Sequence, residues 1–391
     1  MMVPNRILPL LGLLLVGALP PSGSLEAQSI LGSRGLGVLA EPIDAEGRAL
    51  GSSGIGLAGW RVSDLDPAAA AGLRIPGISA TFQPSTAELS DGRTAGQARF
   101  PTLTASFPLR AHVLSLRMGS FLDQDWQVSS FGTMVLGGRE VQYSDQFRSS
   151  GNVARLRAGW AYRPLEWLSV GASVGTNVGA MDRSFLRLFS AEDVGLDVEP
   201  FLIQGRWRAS GTLADVGVIL DPSPAIRLAA SVGWSSDLEF RPVGGVASDS
   251  ASYAIPLEWR AGGTVTLLPG LLLHLSTTYA DWSETSAHLA SVESDGATWG
   301  YGGGVEWSRA SFFGRTTPFR LGVRHRDLPF QGGDEPGQER TISAGVGLNL
   351  VQLEDIPMAR IDLGYERGTR TGGGLSESFR RASLTLRISG G

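Results

Sequence analysis

The chain contains no cysteine and no lysine. Without cysteine there is no disulfide, no thiolate metal site, no catalytic thiol and no lipid-modified cysteine of the bacterial lipoprotein kind. All 33 basic residues are arginine, which we read as a coding bias. Histidine is scarce: His112, His274, His288 and His325 are scattered, and no two stand at a metal-ligand spacing, so neither a metal nor a cofactor is expected. Ser115 beside His112 and Ser276 beside His274 have no third partner in view, and enzymatic activity is not expected. Gly300-Tyr301-Gly302-Gly303-Gly304 lies in an alternating segment with no helix after it, so it reads as bent strand, not a phosphate loop. A net charge of −5 excludes the basic surface of a nucleic-acid binder.

Long apolar runs are missing too. Ile7 to Leu19, broken only by Pro9, is too short to span a bilayer as a helix, and nothing later approaches the roughly 18 to 20 residues needed. With Arg6 before it and Leu25-Glu26-Ala27 after it, residues 1–27 read as a secretory signal peptide.

What the chain does have is a period-two rhythm. Segments of about ten residues alternate apolar and polar, as in Arg155-Leu156-Arg157-Ala158-Gly159-Trp160-Ala161-Tyr162. Alternation and turn chemistry predict fourteen strands: 76–87, 98–108, 112–122, 151–163, 167–180, 206–220, 225–240, 255–268, 271–283, 298–312, 317–328, 339–350, 357–369 and 379–389. Tight joints such as Leu268-Pro269-Gly270 alternate with longer ones, and the long ones include 123–150 and 181–205. An even strand count with short turns at one end and loops at the other is the plan of a transmembrane antiparallel β-barrel. A soluble propeller would need four-stranded repeats, and none is visible.

The alternation assigns the faces. Leu156, Trp160, Leu257, Trp259, Leu321, Val323, Leu363 and Tyr365 fall on the lipid side. Arg117, Arg155, Arg157, Glu258, Arg260, Arg320, Arg324, Asp362 and Glu366 fall on the lumen side, with Asp215, Glu306 and Arg387. These charges either brace the lumen or form a wall that orients an amphipathic head group. A one-residue slip would put arginines in lipid at about 2–4 kcal/mol each near the midplane. Aromatics near the strand ends, such as Trp160 and Tyr162 at one end and Trp259 and Trp299 at the other, suit two interfacial belts.

Residues 28–75 break the pattern. They hold Arg48-Ala49-Leu50-Gly51-Ser52-Ser53-Gly54-Ile55-Gly56 and then Asp66-Pro67-Ala68, where Asp-Pro suits a helix start. Too apolar to remain a solvated tail, this stretch is expected to fold in or under the barrel mouth as a plug, with the barrel over 76–391. Its motif residues are Arg48, Gly51, Gly54, Asp66, Pro67 and Ala68.

These two N-terminal motifs resemble those of the FadL family of outer-membrane transport proteins and its PorV-type relatives. Ile255-Pro256 to Gly262, Leu267-Leu268-Pro269, Tyr279-Ala280-Asp281-Trp282, Phe319-Arg320-Leu321-Gly322-Val323-Arg324 and Leu328-Pro329 are also similar. Asp66 stands where that group has asparagine, and the chain lacks a terminal aromatic. The resemblance implies an outer-membrane channel for passive uptake of hydrophobic or amphipathic molecules, with outer-membrane lipids and the barrel-assembly machinery as partners. It equally admits a PorV-like scaffold that binds secreted proteins; a hydrophilic porin is the third reading. Phe131, Met134 and Leu136 in loop 123–150, and Phe185, Leu188 and Phe189 in loop 181–205, suit ligand capture. Pro101 inside the second strand suits a gap in the wall.

Overall fold

The computed structural model describes residues 35–390 apart from 90–91, 93, 137, 191–198, 246–248, 288–295, 313–314, 331–336 and 354–355. The expected signal peptide, residues 28–34 and His288 lie outside the described residues. The wall is a closed antiparallel barrel of fourteen strands. In order these are β1 (Gly77–Leu89), β2 (Thr94–Leu109), β3 (His112–Asp123), β4 (Arg139–Leu165), β5 (Leu168–Phe189), β6 (Phe201–Ser210 and Thr212–Ser223) and β7 (Ile226–Ser235 and Leu238–Gly245). They continue as β8 (Ala251–Tyr253 and Glu258–Leu268), β9 (Leu271–Asp281), β10 (Ala297–Trp307), β11 (Phe319–Leu328), β12 (Gly337–Leu353), β13 (Ile356–Gly372) and β14 (Leu375–Ser389). Each strand pairs with its neighbours in sequence, and β14 closes on β1 from Gly77↔Ser389 to Leu89↔Glu377.

Two expectations need correction. The connection after β10 is not tight: it runs from 308 to 318 and carries a two-residue ribbon, Ser311–Phe312 with Arg315–Thr316. The larger correction is at the other end. Segment 123–150 is a tall hairpin, because β3 resumes as Trp126–Leu136 and pairs with the upper half of β4. Likewise β5 runs on to Phe189 and pairs with Phe201–Ser210. So Phe131, Met134, Leu136, Phe185, Leu188 and Phe189 are strand residues, not loop residues. The physical reason is that alternation marks only the part of a strand between lipid and lumen. Beyond the membrane both faces meet water, the pattern lapses, and the backbone ladder continues without it.

Inside the barrel lies the irregular N-terminal segment. It contains a short helix, α1 (Ala45–Ala49), a 3-10 turn over Pro67–Ala70, and a two-residue strand, Val38–Leu39, paired antiparallel with Leu122 and Asp123 of β3. Helix α1 packs on β11 to β14, and the 3-10 turn on β4 to β6. Small wall residues make room for it: a Cβ on Gly171 would stand 2.4 Å from the Pro67 carbonyl carbon.

Candidate functional site

The inner segment has little regular structure, so its backbone polar groups need partners elsewhere. Wall hydroxyls supply them. Ala45 N–H donates to Thr385 Oγ1 (2.8 Å) and Ser53 N–H to Ser276 Oγ (2.9 Å). Ser343, Thr264 and Ser231 donate to the carbonyls of Ala49 (3.0 Å), Gly56 (2.8 Å) and Leu65 (2.8 Å). Gly51 fits closely against the wall: its φ is +60°, and a Cβ there would lie 2.4 Å from the Val323 carbonyl oxygen. Gly54 is also left-handed and packs on Leu65.

Charge then fastens the segment on two sides. Asp44 caps α1, accepting from Gly47 N–H at 2.8 Å, and its other oxygen takes Arg387 at 2.6 Å. Glu46 receives Arg61 (2.7 Å), Arg387 (2.9 Å) and Arg320 (3.4 Å). Arg320 also pairs with Glu306 (2.5 Å) and Asp362 (2.8 Å). Glu41 meets Arg324, Arg326 and Arg48. Burial alone would raise the Glu41 carboxyl, but these three guanidinium groups hold it well below the usual carboxylate range. Arg48 reaches Glu366 at 3.7 Å, and burial brings its own pKa down to about 10. Farther up this wall, Arg326, Arg370 and Arg381 surround Glu339.

On the opposite wall, Arg157 bridges Asp64 (3.2 Å) and Asp215 (2.8 Å), and Arg117 donates to the Ser63 carbonyl (2.6 Å). Asp66 caps the 3-10 turn through Ala68 N–H at 3.0 Å, with Pro67 in its first turn. Burial pushes the Asp66 carboxyl up to about 7. Arg155 and Arg260 both pair with Glu258. Of the nine charged wall positions, eight meet a counter-charge among the described residues, and Arg117 meets only the Ser63 and Asp64 carbonyls.

Sequence reasoning missed five charged groups of the inner segment. Glu41, Asp44, Glu46, Arg61 and Asp64 stand in a segment without periodicity, so no pattern assigned them a side. It also missed what lies above the segment. There the lumen is apolar: Phe121, Met181, Leu238, Phe240, Trp282 and Phe330 form one buried cluster with Leu36 and Leu122. A cavity of about 100 Å³ opens beside it, bounded by Leu39, Phe121, Tyr279 and Trp282 and by the paired groups Glu41, Arg155, Glu258 and Arg326.

The wall between β2 and β3 is incomplete, and the cavity at this gap is a separate one of about 40 Å³, lined by Val38, Gln97, Arg99, Asp123, Arg370 and Arg381. The β2–β3 ladder runs from Leu109↔His112 only as far as Thr102↔Gly119, although β2 continues up to Thr94. The break coincides with Pro101, which has no N–H to donate, and with a register shift between β1 and β2. Side chains bridge the gap: Gln97 donates to Asp123, and Arg99 Nη1 lies 3.5 Å from the same carboxylate. Phe100 and Phe82, 5.4 Å apart, stand at its outer side.

The tall hairpins bring together residues that the sequence kept apart. Phe185 packs at a tilt against Phe147 (4.8 Å) and meets Phe201 edge-on (6.2 Å), and Phe147 and Phe201 carried no earlier signal. Phe131 does not join them; it is 84% exposed on the other face of its hairpin, and Met134 and Leu136 lie near the hairpin tip. Leu188 and Phe189 fall on opposite faces of the end of β5.

No family model and no curated protein matches the sequence. Solved structures do match, over nearly the whole length of both chains. The CymD monoaromatic hydrocarbon channel is 16% identical, with a TM-score of 0.59, covering 89% of this chain and 97% of its own. A FadL homologue from Pseudomonas aeruginosa is 14% identical, with a TM-score of 0.63, covering 90% and 99%. The toluene transporter TbuX of Ralstonia pickettii is 12% identical, with a TM-score of 0.56, covering 94% and 99%. At such identities the likeness is one of fold, and the fold of this chain is that of the FadL-type outer-membrane channels.

Proposed function

We propose that this chain is an outer-membrane channel for the passive uptake of small hydrophobic or amphipathic molecules, and that its N-terminal segment is a plug. One observation carries the reading: an apolar cluster in the upper lumen lies above an ion-paired segment, and the barrel wall lacks its backbone ladder between the upper parts of β2 and β3. In this reading the plug bars water and ions. A hydrophobic molecule has a path, from the aromatic strip of Phe147, Phe185 and Phe201 into the apolar upper chamber and out sideways between β2 and β3. The structural neighbours, among them a monoaromatic hydrocarbon channel and a toluene transporter, agree with that chemistry. The scaffold reading is not favoured, since those neighbours are transporters.

Proteoliposomes test it. Toluene and decanoate enter vesicles carrying the protein faster than empty ones, and planar bilayers show no stable aqueous conductance. A stable pore without hydrocarbon uptake overturns the proposal.

A further inference from the structure

The short-turn end of the barrel holds a second cavity, of about 580 Å³, beneath the inner segment and away from the chamber above. Its roof is the turn at Ala58, Gly59 and Trp60; its sides are the ends of β4 to β9. Two guanidinium groups flank the Trp60 ring, Arg227 at 4.4 Å and Arg163 at 5.0 Å from its centre.

The two arginines differ in what else holds them. Arg227 is committed: it takes both oxygens of Asp221 (2.8 and 3.1 Å) and donates to the Leu57 (3.4 Å) and Gly59 carbonyls. Arg163 donates only to the Glu166 carbonyl, and its buried Nε has no acceptor. Among the described residues no carboxylate stands within ion-pair distance of it. Two acids face this cavity, Asp221 and Glu166; the first is neutralised by Arg227 and the second is exposed at the rim. Of the two arginines facing the vestibule, Arg163 is therefore the one without a carboxylate partner among the described residues, and beside it Trp60, Trp167, Ile226 and Leu272 supply the apolar part of a mixed lining. A guanidinium among aromatic and aliphatic walls matches a carboxylate on an apolar body. The volume lies within the range of small-ligand sites, about 300–1,000 Å³.

We propose that this vestibule is a binding site for a monoanionic amphiphile, a medium-chain or aromatic carboxylate, with its head on Arg163 and its body against Trp60, Trp167 and Leu272. Such a site gives anionic ligands a station on the far side of the plug, which the sideways path for neutral hydrocarbons never visits.

The test uses the purified full-length barrel in detergent, with a diazirine-bearing decanoate and the matching decanol as photoprobes and cross-links mapped by mass spectrometry. The acid is expected to label the turns at 163–167 and 221–227, and the alcohol is not. Arg163→Gln, still folded by its heat-dependent gel shift, is expected to need about tenfold more acid probe for half-saturation, and Arg163→Lys to recover part of the loss. Equal labelling by acid and alcohol overturns the site without any variant; so does labelling confined to the upper chamber, or an unchanged Arg163→Gln. The site rests on equilibrium binding alone. Uptake without vestibule labelling refutes this inference and spares the channel; vestibule labelling without uptake does the reverse.

Discussion

Asp123 pairs through its backbone with Val38 of the inner segment, not with any residue of β2. The same residue's carboxylate takes Gln97 and Arg99 from across the gap. One residue joins the inner segment to the edge of the gap. Covalently closing that gap is expected to stop sideways exit. In Gln97→Cys/Asp123→Cys, a short thiol cross-linker should lower toluene uptake at least several-fold, and a reducible linker should restore it on cleavage. The chain has no native cysteine, so labelling is clean.

Gly51 combines a φ of +60° with backbone contact against Val323. Gly51→Ala therefore carries both strain and a clash, about 1–3 kcal/mol together. The expected result is a loosened plug in an intact barrel: faster proteolysis within 40–60 and ion conductance in planar bilayers that the parent protein does not show.

Arg320 is fully buried and holds Glu46, Glu306 and Asp362 together. Arg320→Met would leave three carboxylates facing one another in the lumen. Loss of one partner from a buried ion pair costs about 3–5 kcal/mol. Faster hydrogen exchange over α1, with the amides of β4 and β5 unchanged, is the expected signature.

Asp66 gives a pH dependence with a defined sign. Its ordinary value is 3.8 and burial raises it to about 7 in the folded state. The contribution to stability is fully present below pH 3.8, is lost as pH rises, and is gone above about 7, a change of up to roughly 4 kcal/mol. The amides of Ala68–Ala71 should therefore exchange faster at pH 8 than at pH 5, after correction for intrinsic rates. Asp66→Asn keeps the cap, removes the charge and should flatten the profile.

Phe185 lies at the centre of the aromatic strip. Phe185→Ala is expected to slow uptake a few-fold at low ligand concentration and to leave the saturated rate unchanged, because capture weakens while the exit path is untouched.

The barrel wall was legible because its signal is local. Leu156 must meet lipid and Arg157 must not, so side, register and strand count follow from alternation alone. Legibility ended where that contrast ended. Above the membrane Phe147 and Phe185 face water on both sides of their sheet, so nothing in their neighbourhood told strand from loop. The upper chamber was hidden for a related reason: Phe121, Met181 and Phe240 turn inward at a level where the sequence reading placed a charged lumen. Pro101 was the exception, since a missing N–H is a local fact with a non-local effect.

The sequence by itself determined the fourteen strands, the inward arginines and the departure of the N-terminal segment from the pattern, because each follows from a residue and its near neighbours. Only the tertiary structure decided which acid meets which arginine. Glu46 and Arg387 stand 341 positions apart yet 2.9 Å from each other. It also decided that the wall opens beside Asp123 and that Arg163 is left without a carboxylate. Partner choice, gaps and unspent charges arise when a closed barrel brings distant segments into one low-dielectric space, where each charge must find a counter-charge or keep its cost.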